Sequence, residues 1–265
     1  MSLAINTNLE AMDANRNLNS TESSLSQAMQ RLSSGLRINS AADDVAGYAI
    51  SQRLEGQVNG LNQATQNSQD AVSLAQTAQG SLNDVSQMLQ RIRELAVQYA
   101  NGTTSTTDKE AIVSEVTQLN SEIERVGETT QFNGVNLLNA AATISFQVGA
   151  NDGEVIGVKT IKLSESLKGL VELKGTEPIT KIDEAIDKVS AVAGEFGAVQ
   201  DRIQYTEANL EVYSQNLSSA VSGIVDVNMA AEMTNFTKLQ VLEQAGVSIL
   251  SQANAAPQAV LKLLQ

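Results

Sequence analysis

Six residues between Leu82 and Tyr99 constrain this chain more than any others: Leu82, Val85, Leu89, Ile92, Ala96 and Tyr99, which follow one another at steps of 3, 4, 3, 4 and 3. That alternation keeps one narrow seam of a helix apolar and leaves the rest of its circumference polar, as in a coiled coil or helical bundle. Such a helix cannot bury its seam alone, so other parts of the chain must cover it.

Helical periodicity extends upstream of this seam through Leu54, Val58, Leu61, Val72 and Ala75, from about residue 44 to residue 100. At 1.5 Å per residue that helix approaches 90 Å, roughly three times the width of a small domain, which points to a rod. Asn101-Gly102 ends it. Thr107-Asp108-Lys109-Glu110 has the form of a capping box and opens a helix over about 107–128, with its seam at Ile112, Val116, Leu119, Ile123 and Val126 and Gly127 closing it. The short connection predicts that this helix folds back antiparallel on the first.

Upstream, residues 4–34 read as a weakly amphipathic helix with Leu18, Leu25, Met29 and Leu32 on one side, and Ser40 is a candidate cap for the helix that follows. Strand character is confined to about 130–163: Ile144, Phe146 and Val148 alternate, and Asn151-Asp152-Gly153 supplies a turn before Val155. Residues 164–178 read as loop. A third long seam runs over about 179–223, from Ile182 through Phe196 and Ile203 to Leu217, with a break expected at Gly223. The last segment, from Val227 onward, reads as a helix with Met229, Met233, Phe236, Leu239, Leu242, Ile249 and Leu250 inward. The fold class is therefore mainly α, a long helical-bundle or coiled-coil rod with a small β-hairpin region in the middle of the chain. The two end helices are expected to pair. Leu3, Ile5, Leu242, Val247, Leu250, Val260, Leu261, Leu263 and Leu264 are candidate assembly residues, because apolar ends are a liability unless other copies cover them.

Composition removes most other functions. A net charge of −13 disfavours nucleic acid and anionic membrane surfaces as partners. No apolar run is long enough to span a bilayer, and the amino-terminal stretch lacks the basic start and apolar block of a cleavable secretory signal. Histidine and cysteine are both absent, which removes the commonest general base, the commonest metal ligand and the thiolate nucleophile together. Asp43-Asp44 and Asp183-Glu184 are adjacent on helical periodicity and diverge by about 100°, so they suit capping and solvation better than acid/base work. Asn151-Asp152-Gly153-Glu154 lacks the ligand spacing of a calcium loop. Arg91 and Glu94 form an i,i+3 pair on a polar helical face. No catalytic site, metal or cofactor is expected. On residues alone, a filament-forming protein and a coiled-coil adaptor both remain open.

Several ordered blocks then narrow the choice. AINTN at the amino end, RLSSGLRINSAADDVAGYAIS at Arg31–Ser51, LQRIRELAVQYANGT at Leu89–Thr103, TQFNGVNLL and FQVGANDGE in the centre, and VLEQAGVSILSQANAAPQAVLKLLQ at the carboxyl end resemble bacterial flagellin. The resemblance covers nearly the whole chain and implies a short form, since only Ser164–Thr180 stands where many flagellins carry large variable outer domains. Two departures are IVDVN at Ile224–Asn228, in place of a more acidic segment, and Gln265, where arginine is common.

What the resemblance implies is a structural subunit that polymerises into the flagellar filament for swimming, exported unfolded by the flagellar type III system and located outside the cell. Residues 1–43 with 226–265 would form the inner core of the filament, and residues 44–225 the surrounding tube. Implied partners are further copies of the chain, flagellar cap and hook-associated proteins, and a flagellin secretion chaperone. The LQRIREL block further implies recognition of the monomer by Toll-like receptor 5, with Gln90, Arg91, Leu95 and Glu115 at the matching positions. A hook-filament junction protein shares similar end helices and is the nearest alternative. A flagellin bearing a metallopeptidase insert is disfavoured, because the chain has neither histidine nor the insert.

Overall fold

The computed structural model describes residues 7–169, 171, 173 and 177–263, with the backbone alone for 256–263. Six helices, α1 (Leu9–Ser34), α2 (Val45–Ala100), α3 (Thr106–Thr129), α4 (Leu163–Ser166), α5 (Pro178–Val225) and α6 (Met229–Leu263), account for most of it. Four short strands, β1 (Gln131–Phe132), β2 (Val135–Asn136), β3 (Thr143–Gln147) and β4 (Val155–Lys159), lie between α3 and α4. The chain is thus mainly helical with a small antiparallel β region. It divides into two compact units, residues 1–56 with 217–265, and residues 57–216.

In the first unit α1 and α6 run antiparallel. Asn8 caps α1, its Oδ1 accepting from the Ala11 amide at 3.1 Å, while its Nδ2 donates to the Ala253 carbonyl at 2.8 Å. Further along, Gly246 lies so close to Leu18 that an added Cβ would stand 3.2 Å from Leu18 Cδ1. At the far end Gly35 takes the left-handed conformation, φ 74°, and its amide donates to Arg31, closing α1. The chain beyond it pairs back: Leu36 bridges Asp226, Val227 donates to Gly35 at 3.0 Å, and Arg37 donates to Val225 at 2.6 Å. These contacts show the two ends of the chain pairing, as their matching amphipathicity predicts.

The cap of α2 differs from expectation. Asp44, not Ser40, occupies the N-cap and accepts from the Gly47 amide at 2.9 Å. Ser40 instead donates, by backbone and hydroxyl, to Asp43 Oδ2, which also receives the Asn39 amide at 3.1 Å. Two adjacent carboxylates therefore close two successive turns. The fit is tight, since a Cβ on Gly47 would fall 2.5 Å from Asp44 Oδ2 and 2.7 Å from Ile38 Cδ1.

The second unit holds the core. Leu82, Val85, Leu89, Ile92 and Ala96 are completely buried, with Tyr99 packed against them. They meet Ile112, Val116 and Ile123 of α3, Ile182, Ala185, Val189 and Phe196 of α5, and Leu137, Leu138 and Leu163 from the β region and α4. Helix α3 folds back antiparallel, which places Lys109 Nζ 5.3 Å from the Tyr99 ring and Glu115 beside Arg91. Its capping box begins two residues before the expected one: Ser105 Oγ accepts from the Asp108 amide, and Asp108 Oδ2 accepts from the Ser105 amide. Gly127 does not close α3. It sits within the last turn and packs beside Leu163 at the start of α4, where an added Cβ would make ordinary contact at 3.4 Å. Gly223 likewise lies inside α5, which continues to Val225.

Both hairpins follow from turn chemistry. Asn133 and Gly134 take positive φ, 48° and 80°, and reverse the chain between Phe132 and Val135. Strands β3 and β4 pair from Thr143↔Lys159 to Gln147↔Val155, and Glu154 closes the loop by accepting from the Asn151 amide and side chain. Val148 and Ile156 pack with Ala71 of α2 and Ile203 of α5 into a smaller cluster. The expected loop over 164–178 opens instead with the short helix α4, which begins at Leu163.

Candidate assembly and recognition surfaces

Two antiparallel helices without a third layer can each bury only one stripe. In α1 Ala28 alone is buried, and none of the described side chains of α6 is. Leu9, Met12 and Met29 of α1 and Met229, Met233, Val241, Leu242, Val247 and Ile249 of α6 are all roughly half exposed or more. Phe236, Leu239 and Leu250 are intermediate. This corrects the inward assignment of Met229, Met233, Leu242 and Ile249: α6 carries apolar residues around more of its circumference than one partner helix covers.

Among the assembly candidates, Leu242 and Val247 are exposed and Leu250 is half-buried. Leu3, Ile5 and Leu264 lie outside the described residues. Val260, Leu261 and Leu263 belong to α6, but their side chains fall outside that description. Periodicity along one face did not single out Leu9, Met12 or Val241. The available signal was the number of apolar residues in α6 lying off any single seam.

The second surface lies where α2 and α3 meet. Gln90 is exposed, and Arg91 donates from Nε and Nη2 to Glu115 at 3.0 and 2.9 Å and from Nη1 to Glu94 at 3.2 Å. These bonds, that to Glu115 first, hold the Arg91 guanidinium above its ordinary pKa. Both Arg91 and Glu115 remain about half exposed. Leu95 is different: it is buried in the core of the second unit, so it stands behind this surface and supports it.

Neither surface has the makings of a reaction centre. Among the described residues no three acidic side chains converge on a metal-sized space, and no helix is long and apolar enough to cross a membrane. An apolar recess of about 290 Å³ lies beside α4 and α5, and Lys188 in its lining donates to the Ser166 carbonyl at 3.4 Å.

Paired end helices with uncovered apolar faces, joined to a well-packed helical unit, define a structural protein built for association with its own kind. Comparison with known proteins gives the family. Residues 5–143 match the bacterial flagellin N-terminal helical region, and residues 179–264 match the bacterial flagellin C-terminal helical region. The chain is 46% identical to a flagellin of Halalkalibacterium halodurans, covering 99% of this chain and all of that one. It is 38% identical to a flagellin of Bacillus subtilis with the same coverage. Among solved structures, Bacillus cereus flagellin superposes with a TM-score of 0.51 at 33% identity, over 55% of this chain and 88% of that one. The chain belongs to the bacterial flagellin family. It is a structural, filament-forming protein of motility, not an enzyme.

Proposed function

We propose that this chain polymerises into the flagellar filament through α1 and α6, with residues 1–43 and 226–265 forming the inner core and residues 44–225 the surrounding tube. The observation that carries this is the unburied apolar surface of the end helices, where Leu9, Met12, Met229, Val241, Leu242 and Val247 are roughly half exposed or more. Contacts of that kind, repeated by a rotation and rise that do not close, generate a helical polymer. Helix boundaries at Ser34/Val45 and Val225/Met229 support the proposed division. The contact-based units instead divide inside helices, after Gly56 and after Asn216.

The subunit is exported as an unfolded chain by the flagellar type III system, escorted by a secretion chaperone, and works outside the cell. It adds beneath the flagellar cap and follows the hook-associated proteins. The test is seeded polymerisation: purified chain mixed with sheared filament fragments and viewed by electron microscopy. Long filaments are expected. A small discrete oligomer would favour a coiled-coil adaptor, and a short segment that forms only on hook ends would favour a junction protein.

A second reading is recognition of the monomer by Toll-like receptor 5, favoured by the exposed Gln90, Arg91 and Glu115. Arg91 offers a planar cation on a rigid helix, suited to a charge-assisted contact. Receptor-reporter cells exposed to wild-type and Arg91→Ala protein test it. Equal signalling from both would remove this reading.

A further inference from the structure

Sulfur is distributed unevenly in this protein. Of its six methionines, Met88 packs half-buried against the core of the second unit, and Met1 lies outside the described residues. The other four all lie on α1 or α6: Met12 is 62% exposed, Met29 50%, Met229 48% and Met233 50%. The antiparallel pairing runs from Leu36 beside Asp226 to Leu18 beside Gly246, which sets Met29 and Met233 at about the same level.

Methionine is a flexible filler for apolar contacts, but its thioether is also the apolar side chain most easily made polar. We infer that Met12, Met29, Met229 and Met233 are oxidative modification sites on the free subunit, at which hydrogen peroxide controls whether it can polymerise. This rests on the filament reading above. In the reaction a sulfur lone pair attacks one peroxide oxygen. The O–O bond breaks as the S–O bond forms, and a proton shift releases the other oxygen as water. Sulfur loses two electrons and peroxide gains them. The sulfoxide is a strong acceptor on a surface that must become dry on assembly, so any sulfoxide left there without a donor opposes the contact. In the polymer the same four sulfurs are covered, so assembly and oxidation compete for the same side chains.

The test uses the full chain held as monomer, treated with hydrogen peroxide, freed of oxidant and mapped by peptide mass spectrometry. Met12, Met29, Met229 and Met233 are expected to convert faster than Met88. The critical concentration for seeded growth should rise by at least about tenfold, because each buried, unpaired polar group opposes the polymer. Filaments treated after growth should show several-fold less sulfoxide at these positions, by roughly the share of surface covered. A variant with all four changed to leucine, a volume-conserving exchange, should grow equally well before and after treatment. Normal growth of the fully oxidised wild type, or peroxide inhibition of the leucine variant, overturns the proposal. If that variant does not grow even untreated, methionine sulfoxide reductases acting on oxidised wild type decide: regained growth supports the site, and none overturns it. Failure of untreated wild type to polymerise would instead defeat the filament reading, and this inference with it.

Discussion

Arg93 on α2 donates to Asp183 on α5, Nε to Oδ1 at 2.6 Å, although ninety residues of chain separate them. Further contacts repeat the pairing. Gly197 lies beside Gln79, Gln69 donates to Glu207 at 2.8 Å, and Ser214 donates to Asn62 at 3.2 Å. Steps of 14, 10 and 7 residues along α2 are matched by equal steps back along α5, so the two helices keep register over about eight turns of each. Such register comes from the core beneath and is marked, not created, by the surface pairs.

That ordering of causes is testable by comparing two substitutions. Phe196→Ala, which empties a fully buried position, should lower unfolding free energy by about 3–5 kcal/mol in urea titrations. Arg93→Ala removes an exposed pair and should leave the urea midpoint almost unchanged. A large loss in the second variant would mean that the ion pair sets the register.

On the proposed receptor surface, Arg91→Ala and Leu95→Ala should separate cleanly. Arg91 is exposed, so its loss should weaken receptor signalling without moving the melting temperature. Leu95→Ala should cost roughly 2–5 kcal/mol of stability through the cavity it leaves. Its signalling defect, if any, should track unfolding measured by calorimetry.

Removing residues 246–265 should abolish polymerisation while residues 57–216 keep their cooperative unfolding. Electron microscopy and circular dichroism on the same sample check both halves of that statement. Long filaments from the shortened chain would contradict assembly through the end helices.

The connector before α2 should respond to acid. Asp43 is held below its ordinary pKa of 3.8, chiefly by the amides of Ser40 and Asn39. A carboxylate whose pKa is lowered by folding stabilises the folded state at pH above 3.8, and that contribution disappears as pH falls through the lowered value. Carbon-13 titration of the Asp43 carboxyl should therefore show a midpoint below 3.8. Asp43→Asn should remove this part of the pH dependence.

Asp44→Ala should cost about 1 kcal/mol through loss of the α2 cap. Ser40→Ala should leave that cap intact. Amide exchange at Gly47 distinguishes them, with faster exchange expected in the first variant only.

Local chemistry was legible wherever it was self-contained. The six-residue seam at Leu82–Tyr99, the Asn151-Asp152-Gly153 turn and the Ile144/Phe146 alternation each carry their own instruction, because turn residues and helix and strand periods are properties of consecutive residues. Recognising Ser105 rather than Thr107 as the start of α3 needed the actual hydrogen bonds, since both positions offer a hydroxyl three residues before an acid. Gly127 and Gly223 misled for another reason. Glycine weakens a helix by only about 1 kcal/mol, too little to end either helix.

The sequence by itself determined a mainly helical protein with no reactive constellation, and its ordered blocks marked the flagellin family. Tertiary structure alone decided which apolar residues stay uncovered. Leu95 and Leu242 look alike in a periodic pattern, yet one is buried in the core of the second unit and the other is about half exposed. Exposure depends on how many neighbours surround a helix, and no stretch of consecutive residues contains that number.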